Sequence, residues 1–273
     1  MNIDLIVKKS IANSLTIFNL LLGFSSIVLI SLSLLGQFNY IELACIFIFI
    51  ASLIDACDGK VARKLGTSGD FGKQLDSLAD IISFCLAPSL LIFYYTYDMI
   101  ALQYVILISS FPLVCGAVRL ARFNAYPNES NQSYYLGLPT PANAIFICSS
   151  TLLIFDVSIF MIIESGINQF TPFNLMKWIF AKFYTMSEYM LILVSVVSSI
   201  LLITDINYAK FPMITLDSNK SNLINIIGII IFSVFLFVGI LNKEYHIVML
   251  FFISYYIVSG IIKSIISKIN GGK

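Results

Sequence analysis

The chain has 273 residues, of which 59% are hydrophobic, 14% aromatic and only 11% charged, and its mean hydropathy is +0.93. A soluble domain averages about 45–50% apolar and about 25% charged residues, so this composition excludes an ordinary soluble globule, while 23 Phe and 14 Tyr exclude disorder. Sixteen basic and 15 acidic residues leave a net charge of +1, which selects no anionic partner and points to no nucleic acid.

A membrane-spanning helix needs roughly 20 mostly apolar residues. On that measure the chain reads as an all-α integral membrane protein, one domain over 1–273, with about eight transmembrane helices. Met1 to Ser10 precedes them as a short amphipathic helix, with Ile3, Leu5, Ile6 and Val7 apolar and Lys8 and Lys9 at the interface. It does not read as a cleavable signal, because the apolar run continues well past the length of a signal core. The first span covers about Leu15 to Leu35 and the second about Ile41 to Asp55, followed by a polar stretch from Cys57 to Lys73. The third covers Leu75 to Tyr95 and the fourth Ile100 to Val118. A polar segment from Arg119 to Leu138 then leads to the fifth, Pro141 to Ile163. Glu164 to Glu188, with Trp178, Phe180 and Phe183, reads as an amphipathic connector at the interface. The last three spans are Tyr189 to Ile206, Leu223 to Leu241 and Tyr245 to Ile266.

The basic residues test this map. With a cytoplasmic N-terminus and alternating sides, one face holds Lys8, Lys9, Lys60, Arg63, Lys64, Lys73, Arg119, Arg122, Lys210, Lys220, Lys263, Lys268 and Lys273. The other holds only Lys177, Lys182 and Lys243. The asymmetry follows the positive-inside rule and places both termini in the cytoplasm of a multi-pass plasma-membrane protein. Cys45, Cys57, Cys85, Cys115 and Cys148 lie in or beside apolar segments without paired spacing, and read as small buried hydrophobes. The one histidine, His246, reads as an interfacial residue near Lys243.

Most acids sit singly near span ends. The exception is the stretch from Ile54 to Asp80. Asp55 and Asp58 are three apart at the end of the second span, and Asp76 and Asp80 four apart at the start of the third. Those spacings put each pair on one helix face, and Gly66, Gly69 and Gly72 between them let the chain double back. Four converging carboxylates repel one another and are costly to desolvate. Hard divalent cations such as Mg²⁺ or Mn²⁺ relieve that cost, and two of them can clamp a phosphoryl centre. Ion pairing with Lys60, Arg63, Lys64 and Lys73 is the simpler alternative for any single Asp. Periodicity alone also leaves a divalent-cation transporter open.

The order Asp55-x-x-Asp58-Gly59-x-x-Ala62-Arg63, then Gly72-x-x-x-Asp76-x-x-x-Asp80, resembles the signature of the CDP-alcohol phosphotransferase family. That resemblance implies a membrane enzyme that moves a phosphoryl-alcohol group from a CDP-alcohol to an acceptor hydroxyl and releases CMP. It implies Asp55, Asp58, Asp76 and Asp80 as ligands of two Mg²⁺ or Mn²⁺ ions, with Asp80 also the base. Gly59, Ala62 and Arg63 would line the cytidine diphosphate site. Gly59 leaves room for a nucleotide beside the backbone, and Arg63 offers a planar donor fork. Asn13, Thr16, Thr67, Ser68 and Gly72 would complete the CDP-lipid site. Asn13 and Thr16 belong to Ala12-Asn13-Ser14-Leu15-Thr16-x-x-Asn19, which is similar to the family's entry to its first helix.

Further stretches resemble one branch of the family, the membrane-embedded phosphatidylserine synthases. They are Ser83-Phe84-x-x-Ala87-Pro88, Cys115-Gly116-Ala117-Val118-Arg119-Leu120-Ala121-Arg122-Phe123-Asn124 and Gly137-Leu138-Pro139-Thr140-Pro141-Ala142, with a weaker echo at Ile206 to Lys210. The implied substrates are CDP-diacylglycerol or CDP-archaeol and L-serine, and the implied assembly is a homodimer. Glycerol 3-phosphate or an inositol phosphate remains the alternative acceptor. Arg119 and Arg122, with Asn124, would meet the lipid phosphate or the serine carboxylate. The sequence departs from the family at Ala12, Cys85 and Gly69, where proline, glycine and serine are usual. The resemblance gives the last two spans no catalytic role.

Overall fold

The computed structural model describes residues 3–36, 39–65, 69–126, 134–163, 184–209 and 220–271. The protein is predominantly helical, as its composition predicts. Helix α1 (Ile3–Leu34) ends where Gly36 turns left-handed at φ +69°, a conformation that costs glycine little. The next helix, α2 (Ile41–Leu65), starts on a side-chain cap: Asn39 Oδ1 accepts from the Ile41 amide at 3.2 Å.

Helix α3 (Asp70–Asp80), a π-helical turn (Ile81–Leu86) and α4 (Ala87–Thr96) run end to end as one rod. The π turn is set by its sequence. The Ala87 amide bonds back to the Ile82 carbonyl, five residues away, and Pro88 brings no amide hydrogen to restore α pairing. Helices α5 (Leu102–Ser109) and α6 (Phe111–Ala125) form a second rod, and α6 stops just before Pro127, where the preceding residue resists the helical conformation. Helix α7 (Thr140–Ile163) opens with Pro141 in its first turn, where a missing amide hydrogen costs nothing. Helices α8 (Tyr184–Ile203), α9 (Lys220–Leu241) and α10 (Tyr245–Gly271) complete the chain.

Among the described residues, four helical stretches are long and apolar enough to cross a bilayer: Asn13–Leu34, Asp70–Thr96, Leu102–Ala125 and Tyr245–Ile269. Large apolar side chains, including Phe24, Leu53, Phe235, Phe237 and Phe251, are exposed over the outside of the bundle, as a lipid-facing surface requires.

Several expectations change. No break separates an N-terminal amphipathic helix from the first span, because α1 runs unbroken from Ile3. Helicity also outlasts hydrophobicity: α2 continues to Leu65, α3 begins at Asp70 rather than Leu75, and α6 carries Arg119 and Arg122 within the helix. Charged residues are good helix formers, so the end of an apolar run marks a membrane boundary and not a helix end. Helix α8 likewise starts at Tyr184, inside the expected connector; the rest of that connector, Trp178 included, lies outside the described residues. The fold is not wholly α. Strands β1 (Tyr134–Leu136) and β2 (Asn207–Ala209) pair antiparallel, with Tyr135 opposite Tyr208.

Two buried clusters hold the bundle. Ile30, Ile41, Ile48, Phe84, Leu91 and Ile147 join α1, α2, the π turn, α4 and α7. Cys115, Leu138, Leu202, Tyr208 and Ile257 join α6, α8, β2 and α10. All five cysteines are free thiols, and only Cys57 is exposed.

Candidate active site

The pairs Asp55/Asp58 and Asp76/Asp80 sit at the end of α2 and along α3, and the fold brings three of the four together. Asp55, Asp76 and Asp80 each offer a carboxylate oxygen within 4.8 Å of the other two. Asp58 lies beside this trio, near enough to repel both Asp55 and Asp76. It is buried, and Thr16 Oγ1 on α1 donates to its Oδ2 at 3.1 Å.

Asp80 is only 7% exposed, and Thr140 Oγ1, at the start of α7, donates to its Oδ2 at 3.1 Å. Among the described residues, its Oδ1 and the Oδ1 of Asp76 are buried without a hydrogen-bond partner. Buried oxygens in that condition are costly unless something binds them. Three hard oxygen donors with two orphaned atoms among them fit a divalent cation such as Mg²⁺ or Mn²⁺. Among the described residues, Arg119, 8% exposed, brings a positive charge close: its guanidinium attracts Asp80 and Asp55, and its Nε has no hydrogen-bond partner there.

Close packing fixes the frame. A Cβ on Gly23 of α1 would lie 2.6 Å from Ser83 Cα, so only glycine allows α1 to approach the π turn. There Ser83 Oγ donates to the Asn19 carbonyl at 3.0 Å. A Cβ on Gly116, one turn before Arg119 on α6, would strike Cys85 Sγ, so a larger residue there would displace that thiol. The π turn follows Asp80 directly and carries both contacts, a placement common at functional sites.

The remaining predicted residues separate into groups. Asn13 and Gly72 meet: a Cβ on Gly72 would sit 3.7 Å from Asn13 Oδ1. Gly59, Ala62 and Arg63 lie in the last turns of α2, while Thr67 and Ser68 lie outside the described residues. Arg122 does not converge with Arg119 on the acids. Its Nη1 bonds Asp205 Oδ1 at 3.1 Å and the Ile203 carbonyl at 3.3 Å, while its Nη2 is buried without a partner. Asn124 Nδ2 donates to Ser77 Oγ at 2.9 Å, bracing α6 against α3.

Sequence reasoning missed Thr140 as a partner of Asp80; its Pro139–Pro141 setting signalled a helix entry and nothing more. It also passed over Asn143, fully buried one turn further along α7 with both amide atoms unpartnered. A buried amide in an apolar helix was the available signal.

The model for CDP-alcohol phosphatidyltransferases matches residues 9–200. The chain belongs to that family. It is 31% identical over 256 residues to the CDP-diacylglycerol–serine O-phosphatidyltransferase of Methanocaldococcus jannaschii, covering 94% of each chain. It is 37% identical over 145 residues to the Helicobacter pylori (strain 26695) protein of the same name, covering 52% of this chain and 60% of that one. Against the archaetidylserine synthase of Methanothermobacter thermautotrophicus it is 39% identical over 138 residues, 50% and 54% of the two chains. The match thus spans less than two thirds of the Helicobacter and Methanothermobacter relatives and nearly all of the Methanocaldococcus one.

Proposed function

We propose that this chain transfers the phosphatidyl or archaetidyl group of a CDP-linked lipid to the hydroxyl of L-serine and releases CMP. The observation that carries this reading is the convergence of Asp55, Asp76 and Asp80 from two helices, with Asp58 beside them. The printed names of the relatives support serine as acceptor, and both diacylglycerol and archaeol as lipid moieties.

Asp55, Asp58, Asp76 and Asp80 would hold two Mg²⁺ or Mn²⁺ ions, which supply charge neutralisation at a diphosphate. The chain's own residues would do the rest. Asp80, oriented by Thr140, takes the proton of the serine hydroxyl. The serine oxygen then bonds to the lipid-bearing phosphorus, and the bond from that phosphorus to the CMP oxygen breaks. A general base contributes about 10²–10⁴-fold; positioning and electrostatics supply the larger share. Thr16 steadies Asp58. Asn13, Gly59, Ala62, Arg63, Thr67, Ser68 and Gly72 form the nucleotide and lipid-phosphate side. Arg119 presents a buried cation to the serine carboxylate or the lipid phosphate.

The same reading keeps eight spans in one domain over 1–273. α2, α7, α8 and α9 have 25, 24, 20 and 22 residues, lengths that can cross a bilayer at about 1.5 Å per residue. The acids share the end of α2 with Lys60, Arg63 and Lys64, which supports a cytoplasmic site and cytoplasmic termini in the cell membrane. A homodimer completes the proposal and rests on the family resemblance.

The test is CMP release by purified protein with CDP-diacylglycerol or CDP-archaeol, Mg²⁺ or Mn²⁺, and a panel of alcohols. CMP with serine alone is the expected result. CMP with glycerol 3-phosphate and not serine overturns the acceptor, and no CMP with any alcohol overturns the enzyme in favour of a cation transporter.

A further inference from the structure

A second group of metal-binding side chains lies away from the acids. Asp156, Glu244 and His246 bring a carboxylate oxygen each and an imidazole nitrogen within 4.8 Å of one another. Asp156 is on α7, sixteen residues beyond Thr140, so it lies about 24 Å along that helix from the Asp80 contact. The cluster therefore occupies the opposite end of the bundle from the candidate active site. Glu244 and His246 flank the start of α10, just after the left-handed turn at Lys243 (φ 58°).

His246, which its sequence position places near Lys243 on the far side, is turned into the protein. It is 3% exposed, and its Nε2 points between two carboxylates, 3.2 Å from Asp156 Oδ2 and 3.7 Å from Glu244 Oε2. Both carboxylates lie within ion-pair distance of Nε2, yet among the described residues it makes no hydrogen bond. A buried imidazole nitrogen aimed between two carboxylates without bonding to them is poorly explained by a hydrogen-bonded triad.

A metal ion explains it better. Zn²⁺ sits about 2.0–2.2 Å from nitrogen and carboxylate oxygen donors in tetrahedral geometry, which sets donor separations of about 3.3–3.6 Å. The observed 3.2 and 3.7 Å bracket that range. Imidazole also distinguishes this cluster from the all-oxygen acids of the active site, since nitrogen donors favour zinc-class ions over Mg²⁺. Around it, Tyr245 Oη donates to Glu42 Oε1 at 3.1 Å, and the Tyr245 ring meets the His246 ring edge-on at 5.8 Å. The ring contact packs Tyr245 against the imidazole, and the Glu42 bond fixes Tyr245.

The geometry points to a zinc site made by Asp156, Glu244 and His246, with one open coordination position, that staples the far end of α7 to the start of α10. It is independent of the transferase reading.

The experiment uses the full chain in detergent with excess Mg²⁺, which keeps the all-oxygen site occupied by a hard cation, and titrates Zn²⁺ against wild type, His246→Gln and Asp156→Asn. Zinc content is measured by mass spectrometry, and the Co²⁺-loaded forms by visible absorption. Wild type is expected to take one zinc equivalent and to show the absorption band of four-coordinate Co²⁺. Each variant, still monodisperse and helical, should bind zinc at least about tenfold more weakly and lack the band. Wild type that binds no zinc under Mg²⁺ overturns the site, as does His246→Gln that keeps the zinc and the band. Should both variants fail to fold, X-ray absorption of zinc-loaded wild type decides: a nitrogen donor sustains the site and an all-oxygen shell removes it.

Discussion

Thr140 offers the sharpest test of how the helices build the site. Its hydroxyl donates to Asp80 Oδ2, while Asp80 Oδ1 has no hydrogen-bond partner among the described residues. Thr140→Val removes that donor and keeps nearly the same shape in a site where Gly116 leaves the threonine methyl room. A hydrogen bond to a charged group is worth about 1.5–3 kcal/mol. If that energy serves to hold Asp80 in register for proton abstraction, its loss lowers kcat by about tenfold to 150-fold, since each 1.36 kcal/mol is a factor of ten. The KM for CDP-lipid should change little if, as proposed, Asp80 acts on the acceptor hydroxyl. Thr140→Ser should restore most of the rate. The assay is steady-state CMP release at saturating serine and Mn²⁺ or Mg²⁺. A valine variant whose kcat stays within about twofold of wild type removes Thr140 from any part in orienting the base.

Asp80→Asn should reduce CMP release to background while CDP-lipid binding by equilibrium dialysis persists; turnover near wild type would take Asp80 out of the proton-transfer role. Gly23→Ala places a methyl against Ser83, and overpacking of that kind costs about 1–3 kcal/mol, seen as a lowered Tm in detergent and refuted by an unchanged one. Asp205→Asn breaks an ion pair whose acid is 84% exposed, so stability should fall by less than about 1 kcal/mol in thermal unfolding. Arg119→Leu, by contrast, removes the buried guanidinium facing Asp80 and should cost at least about a hundredfold in kcat/KM for serine, the scale of a lost electrostatic contact in an active site.

Much of this protein was legible before any coordinates. Hydropathy announced a helical membrane protein because a bilayer leaves the backbone no other economical way to satisfy its amides. The four aspartates at spacings of three and four were legible because helical periodicity converts spacing into a shared face, and the motif around them carried the family. What local sequence could not reveal depends on which helices pack together. It could not show that Asp58 would stand beside the trio, tied to Thr16 forty-two residues away. Nor could it show that Arg122 would turn to Asp205 and away from the acids, eighty-three residues on.

The single histidine makes the same point. In the sequence His246 has no neighbour to give it a role. In the fold the end of α7 swings Asp156 against it, and an isolated residue becomes the centre of a cluster. The helices, the apolar outer surface and the helical faces that carry the acids follow from periodicity and composition along single segments. Which carboxylates converge, which arginine lies beside them and which acids gather at His246 follow from how the helices pack. Those depend on contacts a few ångströms across between residues tens or hundreds of positions apart, and no local pattern encodes such distances.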